Sequence, residues 1–183
     1  MKFLIKVFVI LLILVSCKKE TEKKLELSES NFKLKQDFTD FKEKMTELDT
    51  IKVWFNHSVC AYQAYEQLEI TKSSDLIKIH SEFMESTFND NPEWKVVYNK
   101  EIPINDTLWR FEKFVNRNKK WQNSDVNSRG TLYVVNKEDT IRFSVSGLVD
   151  LNRFISDYYR TMRKLYPENK GNIYGMNEIK APE

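Results

Sequence analysis

Apolar positions recur along this chain with two different periods. From Ser28 to Leu48, the residues Leu34, Phe38, Phe41, Met45 and Leu48 are spaced by four, three, four and three, with Lys, Asp and Glu between them. That spacing predicts one amphipathic helix, closed at Asp49 and Thr50, whose stripe faces a core or a partner. The period then falls to two. Leu68 and Ile70 alternate with Gln67, Glu69 and Thr71; after the polar stretch Lys72 to Asp75, Ile77, Ile79 and Phe83 alternate with Lys78, His80 and Glu82. Two such arms predict a hairpin with one buried face. A helix over 76–88 competes, because Leu76, Ile79 and Phe83 also fit helical spacing. Trp94 to Ile104 reads as a strand that Pro103 assigns to an edge or a strand end. The stretch 107–117 fits strand or helix.

The clearest hairpin runs from Thr131 to Val135, through Asn136 to Asp139, and back along Thr140 to Val145. The last element is a helix on the stripe Leu148, Leu151, Ile155, Tyr158, Met162 and Leu165, stopped by Pro167. Residues 168–183 keep no period and read as a tail, ordered only where Ile173, Tyr174 and Met176 find a groove. The pattern predicts an α+β fold. One domain over 28–167 holds an antiparallel sheet of hairpins, covered on one face by the Ser28 to Leu48 and Leu148 to Tyr166 helices.

The 183 residues suit a single domain with a proper core. Four scattered glycines leave no material for a dinucleotide fingerprint or a phosphate-cradling loop.

The start of the chain follows another logic. Lys2 and Lys6 precede the apolar run Val7 to Val15, which is too short to span a bilayer and has the form of a secretory signal. Leu14, Val15, Ser16 and Cys17 then read LVSC, which resembles the lipobox of bacterial lipoproteins. The resemblance covers about the first seventeen residues. It implies removal of 1–16 and a diacylglycerol thioether on Cys17, with acyl chains such as palmitate holding the protein to a membrane of the cell envelope, the outer one by expectation. Residues 17–27, with the charged run Lys18 to Lys24, then form a polar tether.

Loss of Lys2 and Lys6 leaves 27 basic and 27 acidic residues. A neutral chain carries no electrostatic footprint for nucleic acid. The charge is nonetheless uneven. Lys18 to Trp109 holds 13 basic and 18 acidic residues, whereas Arg110 to Lys164 holds 12 and 6. Such asymmetry marks two solvated faces of one domain, or a basic patch for an acidic partner.

Candidate chemistry is thin. His57 and Cys60 are the nearest approach to a base and a nucleophile, but on a strand their odd spacing puts them on opposite faces; Cys60 reads as a buried, inert thiol. His80 and Glu82 share a strand face, yet HExxH and paired CxxC spacings are absent, as is GxSxG. Glu66, Glu69, Glu82 and Glu85 read as solvated charges. No catalytic residue, metal ligand or cofactor is assigned. Trp109 and Trp121, near Arg117, and Tyr159 on the last helix are the candidates for stacking on a sugar, a peptide or an anionic ligand. The triplets at Asp49, Asp106 and Asp139, each followed by Thr and an aliphatic residue, fit turn chemistry. They also resemble the O-glycosylation acceptor motif of exported Bacteroidetes proteins.

These readings predict a lipid-anchored envelope protein that binds a protein or glycan partner without catalysis. The alternatives are an envelope enzyme acting on glycan, peptide or lipid, and an assembly subunit whose Leu34 to Leu48 stripe is given to another chain.

Overall fold

The structure is a computed structural model that describes residues 29–122 and 131–176. The signal segment, Cys17 and the tether lie outside the described residues. The five stretches read as strand, joined by a sixth at Thr50–Asn56 that the reading did not assign, form six antiparallel strands: β1 Thr50–Asn56, β2 Ala64–Ser73, β3 Leu76–Glu85, β4 Lys95–Pro103, β5 Leu132–Asn136 and β6 Asp139–Phe143. They make one sheet in the order β4-β3-β2-β1-β5-β6. The α+β class read from the sequence is the fold observed. Residues 76–85 are strand, so the pairing of β2 with β3, from Ala64 opposite Glu85 to Ser73 opposite Leu76, decides against a helix there. Leu108 to Val115 divides instead: Trp109 enters the core and a short helix follows at Phe111–Arg117.

Alternation gives the sheet two unlike faces. Ile51, Val53 and Phe55 of β1, with Leu68 and Ile70 of β2 and Ile77 and Ile79 of β3, are buried in one core. The helices, in chain order, are α1 Leu34–Asp37, α2 Phe41–Lys44, α3 Phe111–Arg117 and α4 Leu148–Leu165. The α4 stripe buries Phe154, Ile155, Tyr158, Met162 and Leu165. It meets the sheet ring on ring: Phe55 lies parallel to Tyr158 with centroids 3.6 Å apart, and Phe143 is 5.8 Å from Phe154. Lys52, Trp54, Glu69 and Lys78, at the alternate positions, face water on the open side.

The single helix expected over 28–48 is broken into α1, a 3-10 turn at Phe38–Asp40, and α2. The break falls at Asp40, which leaves helical geometry at φ −120, ψ 31, while the Asp37 carboxylate accepts the Lys33 N–H at 2.8 Å and caps the first turn. Kinking in this way still buries Leu34, Phe38, Phe41 and Met45, with Phe38 stacked on Phe41 at 5.4 Å; Leu48 alone of the stripe remains exposed. Four of its five members are therefore used in the domain's own core.

The edge strand β4 pairs irregularly at one point. Between Ser81 and Glu82 the register with β4 shifts: Ser81 opposes Tyr98, but Glu82 opposes Val96. Val97 is the extra residue of a β-bulge. Past α4, the expected tail is part of the packing. Asn169 orients the segment by donating to the Gly175 carbonyl at 2.7 Å and accepting the Tyr174 N–H at 3.0 Å, and Tyr174 is fully buried. The domain thus extends past residue 167.

Candidate functional site

Trp121 and Arg117 line one shallow groove of about 500 Å³, between the end of α3 and the outer side of α4. Arg117 grips Asp157 of α4 with two N–H groups, Nη2 to Oδ1 at 2.9 Å and Nε to Oδ2 at 3.2 Å; the Asn118 amide donates to Oδ2 at 2.8 Å. This fork fixes α3 on α4. Trp121 presents its edge to Phe154 at 5.6 Å, and the Lys120 ammonium sits 4.1 Å from its ring centroid. The groove also holds Arg153 and Arg160.

The other two stacking candidates lie elsewhere. Trp109 is 1% exposed, stacked on Phe111 at 5.7 Å and edge-on to Phe41 at 6.1 Å, so its ring serves the core and is not offered to a ligand. Tyr159 is half-buried on α4, with its hydroxyl 3.1 Å from Nδ1 of His57. Burial pushes its phenol up to about 12.

Tyr159 is the outer end of a polar network that sequence reasoning missed. Glu66 of β2 is fully buried beneath α4. Oε2 accepts from Tyr158 at 2.8 Å and lies 3.2 Å from Nε2 of His57; Oε1 accepts from Ser81 at 3.1 Å and from Tyr174. Tyr98 joins through the Tyr174 hydroxyl at 2.9 Å. Burial, and then the nearby carboxylate, hold the phenols of Tyr98, Tyr158 and Tyr174 well above their ordinary value, so they stay protonated donors. A buried carboxyl costs several kcal/mol unless its oxygens are met, and four groups meet these two. Chemically the arrangement orients His57 and specifies the packing of α4 and residues 169–176 on the sheet.

The open face of the sheet offers a different surface. Trp54, Tyr65, Met84, Trp94 and Tyr133, together with Asn56 and Thr131, line a depression of about 290 Å³. Trp54 and Trp94 are each 38% exposed. The strand register explains the cluster, because Trp54 opposes Gln67 on one side and Tyr133 on the other, while Tyr65 opposes Met84. Arg142 lies 4.9 Å over the Tyr133 ring. Asn56 uses its carbonyl oxygen to accept the Ser58 N–H at 2.9 Å, leaving its amide nitrogen without a partner among the described residues.

Cys60 is exposed and has positive φ, in place of the buried thiol expected of a free cysteine that packs as a small hydrophobe; it sits in the turn between Val59 and Tyr62. His80 accompanies Glu82 at 3.4 Å and Asn99 at 2.7 Å on the open face. Among the described residues no group of three His, Cys, Asp or Glu is placed to hold a metal ion. No helix among them is long and apolar enough to cross a membrane. Two of the Asp-Thr triplets open on structural aspartates: Asp49 accepts the Thr46 N–H at 2.9 Å, and Asp106 accepts the Trp109 N–H at 2.8 Å. No protein-family model, curated protein or solved structure matches the chain.

Proposed function

We propose that this chain is a lipid-anchored cell-envelope protein whose domain is a binding module, and that it takes its ligand in the aromatic depression on the open face of the sheet. The depression carries the reading. Two tryptophans keep more than a third of their surface in water beside Tyr65 and Tyr133, on the face that α4 does not cover. Large rings left in a concave, mainly apolar lining are what an amphipathic ligand needs. A sugar fits best: its C–H faces stack on the rings, and the amide nitrogen of Asn56 in the lining can donate to a hydroxyl. The lipobox at Cys17 supports the address, and the polar tether supports presentation of a domain at a membrane surface.

Titration of the intrinsic tryptophan fluorescence with soluble envelope glycan fragments tests the site. A fragment should bind the wild type and lose roughly tenfold or more in affinity to Trp54→Ala, as expected for a tryptophan at the centre of an interface. If every fragment that binds does so equally well after Trp54→Ala and Trp94→Ala, the site is wrong. Palmitate labelling that is present in the wild type and absent in Cys17→Ser tests the anchor separately.

A further inference from the structure

The helical side of the domain, opposite the aromatic depression, carries an unbalanced charge. Along α4 the outward positions Val149, Arg153, Ser156, Arg160 and Lys164 are spaced by four, three, four and four, one face of a helix. All are exposed, and their only charges are positive. Arg160 and Lys164 have no ion-pair partner among the described residues. Arg153 reaches Asp150 only at 3.7 Å with its side chain 71% exposed, and Arg117 beside it is already spent on Asp157. Lys119 and Lys120 extend the patch across the groove. At the start of α4 two apolar side chains, Leu148 at 60% and Val149 at 64%, project into water.

We propose that this face docks on the anionic lipid surface of the membrane that holds the anchor, leaving the sheet's aromatic face directed away from it. The proposal rests on the lipid-anchor reading. Two observations select the occupant. The first is charge complementarity: a cluster of Lys and Arg with a few exposed apolar side chains is the composition that gains from phosphate headgroups and the acyl boundary together. The second is reach. Eleven residues lie between Cys17 and Glu29, where the described chain begins, so the tether spans at most about 40 Å. That is close to the width of a domain of this size. The tether thus lets any side of the domain meet the bilayer without choosing one, and the basic face chooses.

The full-length, lipidated protein is reconstituted in vesicles of phosphatidylcholine alone, or with a quarter phosphatidylglycerol, both containing a nitroxide headgroup lipid. Cys60→Ser removes the exposed thiol, and a fluorophore is placed at Ser156→Cys on α4 or at Lys78→Cys on the open face. In low salt the label at 156 should be quenched in the anionic vesicles and not in phosphatidylcholine, and the label at 78 in neither. Quenching should fade in about 0.5 M salt, since pairing at a surface is screened beyond about a Debye length. Replacement of Arg153, Arg160 and Lys164 by Gln should weaken docking on the order of a hundredfold, about fivefold for each cation removed.

Flotation of the same samples separates the two readings. Protein that floats with both vesicle types in high salt but shows equal labels at 156 and 78 keeps its anchor and overturns the docking. Protein that floats only with anionic vesicles in low salt supports the docking and overturns the anchor. Protein that floats with neither overturns both. Because the salt dependence is read on the wild-type face, the result does not depend on the triple variant folding.

Discussion

Tyr174 donates its phenolic proton to Oε1 of Glu66 across 108 residues of chain, tying the segment after α4 to the middle of the sheet. Tyr174→Phe keeps the ring and removes the donor to a buried carboxyl oxygen. The expected cost is about 2 kcal/mol, or roughly 5 °C in Tm. Either variant takes the Tyr174 hydroxyl from Tyr98, and a chain ending at Asn169 should lose more, because the buried Tyr174 ring and the Asn169 bonds to residues 174 and 175 go with it. Thermal melts of the two variants beside the wild type check this; equal melting temperatures would show that the network adds nothing.

Alkaline pH should unfold the domain before its phenols ionise in place. Tyr98, Tyr158 and Tyr174 are held above their ordinary value and Tyr159 is pushed up to about 12. The unfolded chain releases these protons near pH ~10, the folded chain later. Their contribution is therefore fully present below about pH 10 and is lost as pH rises toward about 12. Tyr159→Phe should lower the steepness of that loss. Urea midpoints measured from neutral pH up to about pH 11 check it.

Lys42 is buried where α2 meets the loop before α3. Its ammonium donates to the carbonyls of Trp109 at 2.7 Å and Asp106 at 3.0 Å, with the Asp106 carboxylate at 3.4 Å. Burial lowers its affinity for the proton, and Asp106 restores part of it. Lys42→Met strands a carboxylate and two carbonyls, which should cost about 3 kcal/mol. The urea midpoint should fall with the slope unchanged.

Gly175 and Gly171 form a close pair. Both have positive φ, at +71 and +74, so alanine at either meets a left-handed backbone penalty of about 1–2 kcal/mol. A Cβ on Gly175 would also lie 3.2 Å from Cδ2 of Tyr159, whereas at Gly171 it would meet only Cγ1 of Ile173 at 3.9 Å, an ordinary van der Waals contact. Gly175→Ala should therefore destabilise more than Gly171→Ala and disturb the near-ultraviolet signal of Tyr159. Equal effects of the two substitutions would remove the close packing as the cause.

Most strands were legible because alternation is a local property of adjacent residues. The break of the first helix was not, since the apolar stripe keeps its spacing straight through Asp40, where the backbone leaves helical geometry. The network left a signal that the reading of Glu66 as a solvated charge passed over. Glu66 has the parity of Ala64, Leu68 and Ile70, and Ser81 that of Ile77, Ile79 and Phe83, which places a carboxyl and a hydroxyl on the buried face. What it lacked was Tyr174, whose arrival depends on the path of the chain beyond α4. The open-face cluster was hidden for a related reason. Trp54 and Tyr133 become neighbours only when β5 pairs with β1, a contact between residues far apart in sequence. Trp121 and Arg117, four apart, were found together because their proximity is local.

The bulge at Val97 sets the wiring of both surfaces. By parity alone Trp94 and Val96 belong with Tyr98, whose ring is buried on the network side. One additional residue resets the count, so that Val96 opposes Glu82 on the open face and Trp94 beyond it reaches the depression. Chain length at this point, more than residue identity, thus works as a selector. A one-residue deletion here would exchange inside for outside along the edge strand, taking either an aromatic wall from the depression or a phenol from the Glu66 network.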